Sequence, residues 1–434
     1  MKVYKIILCI VFTIFIFVIG CSDRGVNYGR DSYELQEGTY FTKTGAHVFH
    51  NELFFQIGNK YQQMRLVGYW PKAAFPVQNG GEFKPVPMLI LLPPQEGDEN
   101  FYFQHGLKEI ADELISKGII QPMAILCLPN DQIFGGYFFA GSSPAAGFYD
   151  SLIGTELVRF AEEDFFATTI RSKSKRAIGG VGMGAYGAFR AAMLHPDAFS
   201  AVSGVAGPFD FDGSNGTSGL MDFFDDALNE QGLTSSSNLK TEFKYKEKTW
   251  PYSRLFIGGS LVFAIQDTLY DYTETFFNNG TGVEYSVDAK YSLDTAVFPL
   301  SSAITYPGIT EIPFDVKNGS PLDPIYYFHL PFDNTGTVVQ PVWDLWLANN
   351  LPAIFDQHPT SLNGINIWIG NSSEVTFGNY YDQTVSWVNK LRSEGLVVDE
   401  YNLKGYDGHP ANGNQYVYDY LREMLIFHSE KFGN

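Results

Sequence analysis

Two stretches of the chain, Met88-Leu89-Ile90-Leu91-Leu92 and Met123-Ala124-Ile125-Leu126-Cys127-Leu128, are apolar without a break, and this limits the fold more than any other feature. A strand with one face in water alternates polar and apolar residues. A continuous run means that both faces are covered, as in a parallel sheet between helical layers. Between and after these runs, Leu107, Ile110, Ala111, Leu114 and Ile115 recur at helical spacing and stop at Gly118, a helix C-cap signal. Ile153, Leu157, Phe160 and Ala161 mark a second helix, residues 176 to 181 a third buried strand, Ala185 to Leu194 a third helix and residues 199 to 205 a fourth strand. A strand-like segment, Leu66 to Trp70, precedes them and stops at Pro71. This alternation predicts an α/β protein with a doubly wound, mostly parallel sheet.

The pattern lapses between residues 211 and 355. It resumes with a strand over residues 365 to 369, a helix through Val385, Val388 and Leu391, a strand over residues 397 to 403, and a last helix bearing Val417, Leu421, Met424 and Leu425. The interruption reads as an insertion. Its 145 residues include 25 aromatics, close to the 16% of the whole chain, which predicts a folded segment and not a linker. It holds 18 acidic and 7 basic residues, a net of -11, and its Tyr- and Phe-rich text fits a cap over the carboxyl edge of the sheet. The chain as a whole has 29 Lys and Arg against 48 Asp and Glu, a formal charge of -19. That charge excludes a nucleic-acid backbone as partner. Cys9, Cys21 and Cys127 lie too far apart for a metal-ligand cluster and are too few for a disulfide framework, which sets structural zinc aside; no metal or organic cofactor is expected.

The amino end has its own logic. Lys2 and Lys5 precede an apolar run from Ile6 to Ile19 broken only by Thr13, and then Gly20-Cys21-Ser22. A bilayer-spanning helix needs about 20 apolar residues, so a basic start and a 14-residue apolar run ending at a small residue predict an export signal. Val18-Ile19-Gly20-Cys21 resembles the lipobox of bacterial lipoproteins, which implies cleavage before Cys21 and lipidation of that cysteine with several acyl chains. Several acyl chains on one residue are enough for stable anchoring. The lipid membrane is then a partner through acylated Cys21, in the cell envelope. By the sorting rule of two-membrane bacteria, Ser22 after the cysteine implies the outer membrane. The mature chain would keep 27 basic residues against 48 acidic, a net of -21.

In an open parallel sheet the chemistry sits at the carboxyl ends of strands. The element to examine is therefore Arg176-Ala177-Ile178-Gly179-Gly180-Val181-Gly182-Met183-Gly184-Ala185-Tyr186-Gly187. Gly182-Met183-Gly184-Ala185-Tyr186-Gly187 fits the dinucleotide fingerprint G-x-G-x-x-G, with Asp210 downstream. That fingerprint normally opens a domain, whereas this element is at least the third strand. The same residues fit a nucleophile elbow, G-x-S-x-G, with glycine at the serine position. Together with Leu194-His195-Pro196-Asp197-Ala198-Phe199, Gln121-Pro122-Met123 and Gly408-His409, the elbow resembles the esterase-D-like family of α/β-hydrolases, which includes S-formylglutathione hydrolases and mycolyltransferases. About 230 residues on both sides of the insertion carry the resemblance.

The resemblance implies an α/β-hydrolase fold, and with the amino-terminal signal and the interrupted pattern it gives residues 1–20 as signal, 21–45 as lipidated tether, 46–210 and 356–434 as core and 211–355 as inserted cap. It implies a catalytic serine at position 182, where Gly182 stands without a side chain to attack a carbonyl. It implies an oxyanion donor at the Met183 N–H, and a second donor on the loop after Leu92, where Pro93 and Pro94 have none and Gln95 is the neighbour able to substitute. The base falls on His409. The acid position falls on Ser373, and Glu374 is the candidate acid one residue out of register. Ser142 and Ser143 could reach the cleft, whereas Ser203 resembles a structural serine of the family. The expectation is an impaired esterase that binds an ester, glycan or envelope fragment, with the cap's aromatics able to stack on sugars. The alternatives are an active ester hydrolase or acyltransferase with a relocated nucleophile, and a surface protein acting through its cap.

Overall fold

The computed structural model describes residues 27–28, 46–57, 60–75, 84–129, 138, 141–143, 147–164, 169–213, 219–234, 251–269, 273–278, 283–288, 325–332, 337–371, 380–402 and 413–433. Among the described residues, nine strands form one sheet. They are β1 (Asn27–Tyr28), β2 (His47–Ile57), β3 (Lys60–Trp70), β4 (Met88–Leu92), β5 (Ala124–Cys127), β6 (Arg176–Val181), β7 (Ala201–Val205), β8 (Asn366–Asn371) and β9 (Val398–Asn402). The order across the sheet is β1-β2-β3-β5-β4-β6-β7-β8-β9. From β5 to β9 every pairing is parallel, and the β2–β3 hairpin joins antiparallel at one edge.

The principal helices are α1 (Leu107–Ser116), α2 (Met183–Leu194), α3 (Phe224–Glu230), α4 (Pro251–Phe263), α5 (Gln340–Leu347), α6 (Leu351–Gln357), α7 (Tyr381–Ser393) and α8 (Gly413–Lys431). The apolar runs alternate between two cores. Leu89, Leu91, Ile125 and Cys127 face α1 and α8, where Leu107, Ile110, Leu114, Leu421 and Leu425 are buried. Met88, Ile90, Leu92, Leu126 and Ile178 face the opposite layer, with Ala188, Ala192, Trp387 and Leu391. Every residue of β4 is buried. At about 1.5–3 kcal/mol per fully buried large apolar side chain, this two-sided burial is the main stabilising force on the sheet. Cys127 is a free, buried core thiol, and burial raises its pKa well above the ordinary range, which keeps it protonated and inert.

The inserted segment is joined to this core. Phe138 packs its ring on Tyr186 of α2 at 5.4 Å, on Phe211 at 5.1 Å, on Phe263 of α4 at 4.9 Å and on Trp346 of α5 at 5.6 Å. All five rings lie in the cluster that covers the α2 face of the sheet. Phe211, Phe256, Phe263, Trp343 and Trp346 are therefore interior packing and are not offered to a sugar, which corrects the expectation for these residues. The boundary expected between residues 355 and 356 falls inside α6, whose Leu351, Ile354 and Phe355 are buried against that core.

Polar groups reinforce the junction. Tyr186 Oη donates to the Asn349 carbonyl at 2.8 Å, and Arg190 Nη1 donates to Asn349 Oδ1 at 3.0 Å while pairing with Asp150 at 3.2 Å. Burial pushes the Tyr186 phenol up to about 12, so it remains a donor at physiological pH. Asp210 accepts from Asn350 Nδ2 at 3.1 Å and from Ser386 Oγ at 2.7 Å. Asp210 thus ties α6 to α7, a structural role that leaves the dinucleotide reading without its acidic partner.

Candidate active site at the glycine elbow

β6 is held between β4 and β7, with Leu92 opposite Gly180 and Val181 opposite Val205. The ladder runs one step further, since the Gly182 N–H donates to the Val205 carbonyl at 2.9 Å. The chain then reverses at once into α2, whose Ala185 N–H returns to the Gly182 carbonyl at 3.0 Å. A turn this sharp forces its single residue to φ 58°, ψ -123°, a region that L-residues with a Cβ enter only under strain. Gly182 adopts it without that cost. The elbow of the sequence is thus an elbow in space, at the carboxyl edge of the sheet.

Close approach shapes the rest of the element. A Cβ on Gly184 would lie 2.0 Å from the Leu92 carbonyl oxygen, so the first turn of α2 rests directly on the end of β4. This brings the loop after β4 over the elbow. Pro93 is buried and Pro94 half-buried; an added Cβ on Gly182 would stand 3.2 Å from Pro94 Cβ and 2.8 Å from Gln95 Oε1. The same Gln95 oxygen accepts a long hydrogen bond, 3.4 Å, from the Met183 N–H. An N–H can only donate, so it is the amide oxygen that faces it.

Gln95 does bear on the oxyanion site, where its side-chain oxygen is an acceptor for the surviving Met183 donor. The groups brought together are Gly182, Met183, Pro94 and Gln95. Ser203 is fully buried in β7 and its Oγ lies 2.8 Å from His428 Nε2, so it is a core residue, as the resemblance implied. His409, Glu374, Ser373 and Cys21 lie outside the described residues, and Ser142 and Ser143 are described only as a short backbone strand paired with Gly147–Phe148. Among the described residues no three His, Cys, Asp or Glu side chains are grouped so that they could hold a metal ion, and no helix is long and apolar enough to cross a membrane.

A mostly parallel sheet, helices on both faces and a strand-turn-helix elbow at its carboxyl edge define the α/β-hydrolase fold. Residues 77–247, which contain the elbow, match the family model described as "Putative esterase". Solved structures similar to the chain include a ferulic acid esterase, at 14% identity over 89% of this chain and 99% of that one, with a TM-score of 0.49. They also include an S-formylglutathione hydrolase of Staphylococcus aureus, at 13% identity, 88% and 99% coverage and a TM-score of 0.46. A third is an S-formylglutathione hydrolase of Agrobacterium tumefaciens, at 12% identity, 90% and 98% coverage and a TM-score of 0.45. No curated protein matches the chain in sequence.

Proposed function

We propose that this chain is a lipid-anchored lipoprotein of the cell envelope whose hydrolase core is catalytically impaired and binds an ester, glycan or envelope-derived ligand. The observation that carries the reading is Gly182 at the elbow, in the nucleophile's backbone conformation but with no side chain to form an acyl-enzyme bond. Loss of the nucleophile from a serine triad lowers kcat on the order of a millionfold, leaving only binding and oxyanion stabilisation. Ser203, held in the core by His428, is no replacement. The full chain should not hydrolyse p-nitrophenyl acetate or butyrate above a heat-inactivated control. A turnover that resists dilution and tracks with the purified protein would refute the impairment.

Anchoring rests on Val18-Ile19-Gly20-Cys21 and the short apolar run before it. In a two-membrane cell the proposed location is the outer membrane. The Cys21→Ala chain should lose its lipid and no longer partition with the detergent phase of membrane extracts. Unchanged partitioning of that variant contradicts anchoring through Cys21.

A further inference from the structure

The space above Gly182 is filled by the protein itself. Gln95 Oε1 lies 2.8 Å from where a Cβ on Gly182 would be, and 3.4 Å from the Met183 nitrogen. A serine side chain begins at that Cβ, and a substrate oxygen would be held by that N–H. One amide oxygen therefore crowds the first place and caps the second.

The loop that carries Gln95 is built to keep it there. Pro93 and Pro94 fix two φ angles in succession, and Gly97 closes the loop so tightly that a Cβ on it would lie 2.8 Å from Pro93 Cβ. Between them, Glu96 sits at φ 62°, in the left-handed region that a residue with a long side chain rarely occupies. Glu96 is held by an ion pair with Arg254, a buried residue of α4 in the inserted segment. The strained residue next to Gln95 is thus tied to the part of the molecule that the insertion adds.

We propose that Gln95 is the specificity-determining residue of the elbow: its amide oxygen crowds the nucleophile's place and caps the Met183 N–H, excluding carboxylate and ester oxygens from this site unless it is displaced. The proposal rests on the impaired-esterase reading only in taking position 182 as the former nucleophile. It makes Gly182 and Gln95 a matched pair, since a side chain at 182 and the Gln95 amide compete for one volume. Ligand binding elsewhere on the core is left untouched by it.

The test follows the Met183 amide, which selective 15N-methionine labelling isolates among only eight methionines in the full chain. In Gln95→Ala the amide loses its acceptor, and its hydrogen exchange is expected to quicken at least tenfold. Butyrate titrated into Gln95→Ala should move the Met183 resonance at concentrations that leave the wild type unmoved. Gln95→Met fills the same volume without an oxygen. It should also quicken exchange but continue to exclude butyrate, and it guards against a cavity that unsettles the fold. Unchanged exchange in both variants, or the same butyrate response in wild type and Gln95→Ala, overturns the proposal. Hydrolysis by the wild-type chain would instead overturn the impaired-esterase reading, so the two failures are distinct.

Discussion

Trp346→Ala is expected to lower the stability of the whole chain by about 3–5 kcal/mol, the range for deleting a large buried aromatic side chain. Trp346 is fully buried, with the rings of Phe263 at 5.5 Å, Phe138 at 5.6 Å and Trp343 at 5.8 Å. Its six-membered ring lies against Gly259, where a Cβ would come within 2.2 Å of Cη2, so the helices α4 and α5 meet too closely for a neighbouring side chain to fill the hole. Because Phe138 and Tyr186 extend the same cluster to the elbow helix, denaturant unfolding followed by tryptophan fluorescence and by far-ultraviolet circular dichroism should shift together. A variant in which only one probe moves would mean that the inserted segment folds separately, contrary to the shared core.

Acid is expected to destabilise the chain through the buried imidazole of His428. Burial pulls His428 down to about 3, against roughly 6.5 in an unfolded chain. The unfolded state then binds a proton that the folded state refuses between those values. Stability contributed by this group is fully present above pH 6.5 and is lost as pH falls, at up to about 1.4 kcal/mol per pH unit and roughly 5 kcal/mol by pH 3. The geometry agrees with a neutral ring. Nε2 meets Ser203 Oγ at 2.8 Å, Nδ1 has no partner among the described residues, and Phe427 and Phe432 flank the ring at 5.0 and 6.4 Å. Denaturant titrations at pH 7 and pH 5 should show a fall of about 2 kcal/mol that is smaller in His428→Gln by the same amount. Parallel pH profiles for the two proteins would show that His428 is not the group responsible.

Much of this fold is legible in the residues because it rests on period and continuity. Met88 to Leu92 is a continuous apolar run of the kind a strand covered on both faces shows, and Gly179, Gly180, Gly182 and Gly184 fit a strand that turns into a helix with little room for side chains. Other features have no periodic signature. Gln95 is a polar residue after two prolines, and sequence alone marks it as a neighbour of the oxyanion site without telling whether it brings a donor or an acceptor. His428 falls four residues after Met424 and three after Leu425, on the apolar side of α8, and that spacing is the signal that places it in the core. The insertion's aromatic content matches the rest of the chain and does indicate a folded segment. Composition cannot say, however, that Phe263 and Trp346 pack on the core instead of lining a lid, because the contacts that decide it join Phe138 to residues 125 and 208 positions further along the chain.

The central claim is that the elbow holds a glycine in the nucleophile's conformation and that no other serine has taken over its chemistry. A fluorophosphonate probe reports this most directly, since it forms a covalent bond only with a serine activated for attack. Incubated with the probe and examined by intact-mass spectrometry, the full chain should gain no adduct under conditions that label an active serine hydrolase to completion. One stoichiometric adduct, mapped to any serine of this chain, would contradict the account.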